Sequence, residues 1–146
     1  MPEKSTQVTI RVYETTDEDA VISLWQVAGL LRPWNDPTKD IARKLKVQPE
    51  LFLVAADGGQ ILGSVMAGYD GHRGWLYYLA VDPATQRCGI GRALVDAARS
   101  RLQALGCPKI NLQPRSGNDG AVAFYEALGF EHDPVVSMGL RLIPDD

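Results

Sequence analysis

A chain of 146 residues with 45% hydrophobic residues is about one domain long by the ~150-residue norm, and it can bury about 68% of its unfolded surface in one core. Fifteen Lys and Arg against 18 Asp and Glu give a net charge of −3, which excludes both the basic footprint of a nucleic-acid binder and the composition of a disordered chain. Two cysteines, Cys88 and Cys107, form no Cys-x-x-Cys pair and read as reduced thiols, without a disulfide framework or a metal site.

Val8, Ile10 and Val12 alternate with polar residues, which predicts a half-buried first strand over about residues 7–14. Thr16 stands as cap of a helix with Asp17, Glu18 and Asp19 in its first turn and an apolar stripe of Val21, Leu24, Trp25, Ala28 and Leu31. Asp36-Pro37 repeats a helix-start signal, an N-cap followed by proline at the first helical position, for a short second helix to about Lys46. Leu51–Asp57, a Gly58-Gly59 turn and Ile61–Tyr69 predict a hairpin of central strands. Asp70–Gly74 turns the chain into a fourth strand, Trp75–Val81, whose near-continuous apolar run predicts burial on both faces. These runs are far shorter than the ~20 residues that cross a bilayer. Met1–Thr6 lacks the apolar core of a secretory signal. The expectation is a cytoplasmic protein with no membrane partner.

Leu94, Ala98, Leu102 and Leu105 mark the buried side of a long helix ended by Gly106. A fifth strand is predicted over Ile110–Pro114, a last helix over about residues 118–128, and a final strand over Val135–Ile143, with a short extra strand at Phe130–His132 as an option. The hairpins require antiparallel neighbours, and the helical crossover between the fourth and fifth strands requires a parallel pair. The fold class is therefore α/β, a single domain with a mixed, mostly antiparallel sheet and helices on both faces.

Gln86-Arg87-Cys88-Gly89-Ile90-Gly91-Arg92 joins the fourth strand to the long helix. Two glycines and a helix start bring unpaired N–H groups and partial positive charge to one point, the chemistry of a pyrophosphate cradle; the alternative is a glycine-eased turn with no ligand. The dinucleotide fingerprint would need glycine where Leu94 stands, and Walker A, GxSxG, HExxH and clustered Cys/His patterns do not occur. Phosphate-hydrolysing, serine-hydrolase and zinc chemistries are not supported.

Val81-Asp82-Pro83, Gln86-x-x-Gly89-x-Gly91 and Asn118-x-x-Ala121-x-x-Phe124-Tyr125-Glu126-x-Leu128-Gly129-Phe130 together resemble the acetyl-CoA loop and closing helix of the GNAT (GCN5-related N-acetyltransferase) family. The order of elements matches too, so the resemblance covers nearly the whole chain. Leu30–Pro37 and Tyr69–Gly74 are similar to the YpeA-like bacterial members.

The resemblance implies acetyl transfer from acetyl-CoA to a primary amine by direct attack, with no metal and no nucleic-acid partner, in a monomer or a homodimer. It implies that Gln86 and the main chain of Arg87, Cys88, Gly89, Ile90, Gly91 and Arg92 bind the pyrophosphate and that the backbone of Leu79, Ala80 and Val81 holds the pantetheine arm. Asn118 either bonds the pantetheine or caps the last helix. A main-chain N–H near Leu79 or Ala80 would stabilise the thioester oxygen, and Tyr125 would protonate the departing thiolate, unless it is a core tyrosine. The fourth strand lacks the glutamate that many members use as base, so His72, with Asp70 behind it, is the expected proton acceptor, with a water relay as alternative. Trp34, Asn35, Asp36 and Asp70 are expected on the acceptor side, Asp36 equally as a helix cap. The missing glutamate also motivates a second reading, an acyl-CoA sensor without turnover.

Overall fold

A computed structural model of the protein describes residues 8–86 and 88–145. Its elements are β1 (Thr9–Val12), α1 (Glu18–Val27), α2 (Pro37–Lys44), β2 (Phe52–Asp57), β3 (Gln60–Tyr69), β4 (Gly74–Val81), α3 (Ile90–Ala104), β5 (Ile110–Leu112) and α4 (Asp119–Ala127). The five strands form one sheet in sequence order. Three neighbouring pairs are antiparallel and β4–β5 is parallel, as hairpins and one helical crossover require.

Two apolar clusters sandwich the sheet. Leu53, Ala55, Val65 and Leu76 pack with Leu94, Ala98 and Leu102 of α3, while Phe52, Val54 and Met66 face Val21, Leu24 and Trp25 of α1 and Ile41 of α2. Alternate residues of each strand feed opposite clusters, the period of two that sends successive side chains to opposite faces. Each fully buried Leu or Phe stabilises this core by roughly 1.5–3 kcal/mol. Among the described residues no helix is long and apolar enough to cross a membrane.

Several local expectations change. Residue 7, the expected start of the first strand, lies outside the described residues, and Thr16 caps nothing: a 3-10 turn, Thr15–Asp17, precedes α1. Asp17 accepts the N–H of Glu14 at 2.8 Å and pairs with Arg11 at 2.8 Å. β3 outlasts β2 at its far end. There the Gln48 amide takes the place of a strand, its Nε2 donating to the Tyr69 carbonyl at 3.1 Å and its Oε1 accepting the Tyr69 N–H at 2.8 Å. The buried Lys44 ammonium donates to the Ala67 carbonyl, and its burial lowers the ammonium pKa.

No strand forms over Val135–Ile143 or Phe130–His132. β5 stops at Leu112, and Pro114 beyond it brings no N–H to a ladder. The C-terminal segment meets β5 through side chains, with Asn111 donating to Asp133 at 2.8 Å and Gln113 bonded to Ser137, and then leaves it. Its end is fixed elsewhere: Asp145 accepts the N–H of Asp36 at 2.7 Å and pairs with Arg43 and Arg141. The Arg43 guanidinium, first among these, holds the Asp145 carboxyl far below the usual carboxylate range. Between β5 and this segment lies an open groove of about 1180 Å³.

Candidate active site

β4 is paired on both edges only over its first residues. Its parallel ladder with β5 runs Gly74↔Ile110, Trp75↔Asn111 and Leu76↔Leu112, and no pair with β5 follows. The expectation that β4 is buried on both faces fails here: Tyr77 is 47% exposed, and Tyr78, Leu79 and Val81 are only half-buried. Where β5 ends, the edge of β4 has no further strand partner among the described residues.

A bulge marks the same place. The β3–β4 register passes from Met66↔Tyr77 to Ser64↔Ala80, so Tyr78 and Leu79 together oppose Val65, one residue too many for a regular ladder. Tyr78 takes φ of 53°, a left-handed conformation that is strained for an aromatic residue. Three contacts hold it. Its ring stacks on Trp25 with centroids 3.8 Å apart, its hydroxyl donates to Asp40 Oδ2 at 2.6 Å, and its carbonyl accepts from Ser64 Oγ at 2.8 Å. Burial raises the Tyr78 pKa, and the Asp40 hydrogen bond adds to it. Neither the bulge nor this bracket is legible in the sequence, since a lone serine and tyrosine in apolar strands carry no periodic signal.

The free end of β4 leads through a turn into α3. Asp82 closes that turn by accepting the N–H of Ala84 at 2.9 Å. Beyond it the bonding stops: Gly89 is the N-cap of α3, with φ of 78° and no side-chain cap, and the first main-chain bond is Ala93 N–H to Gly89 carbonyl at 3.0 Å. Among the described residues the N–H groups of Cys88, Gly89, Ile90, Gly91 and Arg92 have no partner. A Cβ built on Gly89 meets nothing within 4 Å, whereas one on Gly91 would lie 3.2 Å from Phe124 Cζ and 3.5 Å from Val81 Cγ2. The two glycines thus differ in purpose. Gly89 supplies the left-handed turn and open space; Gly91 lets α4 approach the start of α3.

That approach carries Tyr125 of α4 towards the same end of the sheet. Tyr125 stands edge-on to Phe124 and Phe130, at 5.1 and 5.5 Å, its burial pushes the hydroxyl pKa up to about 12, and among the described residues the hydroxyl has no hydrogen bond. Asn118 caps α4, its Oδ1 accepting the Ala121 N–H at 3.0 Å. Gln86 and Cys88 are exposed in the loop, Arg92 lies 3.9 Å from Asp96 on the outer face of α3, and Arg87 lies outside the described residues.

The α1–α2 loop lies towards the opposite face of the sheet and meets the β5–α4 loop. Asp36 caps α2, accepting the Thr38 N–H at 2.9 Å, which sets Asp40 one helical turn on against Tyr78. Trp34 is half exposed with Arg115 of the β5–α4 loop 5.2 Å above its ring, and Asn35 accepts from Arg141 at 2.6 Å. His72 and Asp70 are not brought to this place. They sit in the β3–β4 turn beyond Gly74, and Gly74 to Tyr78 alone spans about 13 Å of strand. The Asp70 carboxylate is used within its own turn, accepting the N–H groups of His72 and Arg73 at 2.8 Å and Trp75 Nε1 at 3.3 Å.

The residues therefore form a slot with one donor-rich end, which fits a phosphorylated acyl carrier: the open N–H groups suit a diphosphate, and the free edge of β4 suits an extended amide chain. The model of the acetyltransferase (GNAT) family matches residues 12–130. An acetyltransferase of Pectobacterium atrosepticum is 51% identical over 136 residues, covering 93% of this chain and 96% of the relative. Among solved structures, the ribosomal-protein-S18-alanine N-acetyltransferase of Escherichia coli superposes with a TM-score of 0.73 at 31% identity, covering 87% of this chain and 79% of that one. The NatC complex bound to Gag peptide and CoA shares the fold, with a TM-score of 0.71 at 24% identity over 85% of this chain and 84% of that one. With a family model over most of the chain and a relative at 51% identity, this chain belongs to the GNAT family of acetyltransferases.

Proposed function

We propose that the slot between β4 and β5 binds acetyl-CoA and an amine acceptor together and that the acetyl group passes directly to the amine nitrogen. The single observation that carries this reading is the coincidence of two unspent sets of donors: the β4 edge freed after Leu76↔Leu112 and the uncapped start of α3 at Gly89. Bound there, acetyl-CoA supplies an activated acyl carbon and a thiolate leaving group.

The chain's own groups divide the work. The N–H groups of Cys88, Gly89, Ile90, Gly91 and Arg92 hold the diphosphate, with Gln86 and Arg87 beside them. The backbone of Leu79, Ala80 and Val81 runs along the pantetheine, and the bulge turns a main-chain N–H at Leu79 or Ala80 towards the thioester oxygen, where developing charge is stabilised without a side chain. Tyr125 gives its proton to the thiolate and is reprotonated, through solvent, by the proton that the attacking nitrogen sheds as it becomes an amide. A hydroxyl with its pKa raised to about 12 is fully protonated at neutral pH, and the same dry surroundings raise the thiol it serves. Asn118 shapes this end through its cap. Trp34, Asn35 and Asp36 form the acceptor wall, and a water passes the ammonium proton out, because the carboxylate beside the bulge, Asp40, is taken up by the Tyr78 hydroxyl and Arg43. Acceptors are primary amines of a small molecule or of a protein.

The test is CoA release when polyamines, amino acids, aminoglycosides and peptide N-termini are offered with acetyl-CoA, beside thermal protection by acetyl-CoA alone. Protection with amine-dependent release is expected. Protection without release across the panel would turn the reading towards a sensor, and no protection would end it.

A further inference from the structure

Ser64 lies in the middle of β3 with its side chain entirely buried. A hydroxyl costs free energy in such a place unless both its roles are used. Here both are. Ser64 Oγ accepts Trp25 Nε1 at 2.8 Å and donates to the Tyr78 carbonyl at 2.8 Å. The carbonyl is that of the one aromatic residue held at positive φ in the described chain, and the indole that donates to Ser64 also stacks on the Tyr78 ring. Trp25, Ser64 and Tyr78 thus close a ring of contacts around one strained peptide, with Asp40 fixing the far end of the tyrosine.

Strain of this kind persists only when neighbours over-determine it, and it costs of the order of 1–3 kcal/mol. Left alone, an aromatic residue in a strand relaxes to extended φ. The extra residue would then move along β4 and the main-chain N–H at Leu79 or Ala80 would rotate away from the open edge. We propose that Ser64 is a positioning residue for acetyl transfer: through the Tyr78 carbonyl, with Trp25 behind it, it holds the β4 bulge in the conformation that aims the oxyanion-binding N–H. This rests on the acyl-transfer reading above. Ser64 touches neither substrate, and its effect lies in the geometry of the peptide that does.

The consequence is a separation between rate and affinity. Ser64→Ala lowers kcat on the order of 10²-fold, the cost of misplacing a reacting group by about 1 Å, while the acceptor KM and the acetyl-CoA Kd stay within about twofold. Tyr78→Gly supplies a residue that takes positive φ without strain. In that background the further Ser64→Ala change leaves kcat unaltered, although both Ser64→Ala proteins lose thermal stability alike. A merely structural serine would lower kcat equally in the two backgrounds, and that result overturns the proposal. An activity-independent measurement accompanies it. In the wild type, NMR shows the strong intraresidue HN–Hα contact of positive φ at Tyr78, and Ser64→Ala removes it; its retention also overturns the proposal. Were the wild type to acetylate no amine, the acyl-transfer reading alone would fall, and the Tyr78 signal would still decide what Ser64 holds.

Discussion

The two ends of β4 carry two polar, glycine-containing turns that look alike in sequence and behave oppositely. In the β3–β4 turn both carboxylate oxygens of Asp70 are engaged: Oδ1 takes two main-chain N–H groups and Oδ2 takes the Trp75 indole. Among the described residues of the β4–α3 loop the bonding ends at Thr85, and the start of α3 presents N–H groups with open space in front of Gly89. A turn whose donors are satisfied internally is architecture. One whose donors are unsatisfied at a helix N-terminus has to find an external acceptor, and an anion is the best available.

The strongest way to break that contrast is at Gly89. Gly89→Asp places a carboxylate in the space meant for the diphosphate and should weaken acetyl-CoA binding by at least about 10²-fold, two or more kcal/mol, as read by calorimetry. Gly89→Ala, which adds only the left-handed penalty of about 1–2 kcal/mol, should lose stability and retain most of the affinity. Undiminished binding by the aspartate variant would show that the loop is not the anion site. Next in size is Tyr125→Phe. Losing a general acid lowers kcat by about 10²–10⁴-fold, with acetyl-CoA affinity nearly unchanged; equal turnover would remove Tyr125 from the mechanism. The pH dependence has a definite sign. Because burial raises the Tyr125 pKa to about 12 from about 10 in the unfolded chain, its contribution to stability is complete below about pH 10 and is lost as pH rises towards 12.

Why some of this is legible in the sequence and some is not follows from range. Periodicity reports which face of an element is buried, so α1, α3 and the β2–β3 hairpin come directly from their apolar patterns. Gly89 is legible because a left-handed N-cap selects glycine locally. The bulge is not legible, since φ at Tyr78 is imposed by Trp25 and Ser64, which are distant in sequence and joined only by folding. The C-terminal segment misleads for the opposite reason. Val136, Met138, Leu140 and Leu142 alternate as a strand should, yet they are 84–90% exposed, because a strand also needs a partner edge and β5 offers only Ile110–Leu112. The expectation for His72 rests on chain proximity to the fourth strand, which says nothing of which end of the strand does the chemistry.

The smaller effects sharpen the contrast from the architectural side. Asp70→Ala should lower the melting temperature by a few degrees and leave kcat alone, because it loosens a turn remote from the slot. The Arg73 and His72 N–H groups, in that order, hold the Asp70 carboxyl below its ordinary value. Its contribution is therefore complete above about pH 4 and disappears as pH falls through the depressed native pKa. His72→Ala should do least of all. Its exposed ring makes no hydrogen bond among the described residues, and surface changes of this kind stay within about 0.5 kcal/mol. If His72 took the ammonium proton, the variant would lose kcat steeply and its pH–rate profile would change shape. With Gly74 to Tyr78 already spanning about 13 Å, the profile should instead superpose on that of the wild type. A departure would mean that the acceptor is deprotonated far from the bulge, and the assignment of the chemistry to the open end of β4 would have to be given up.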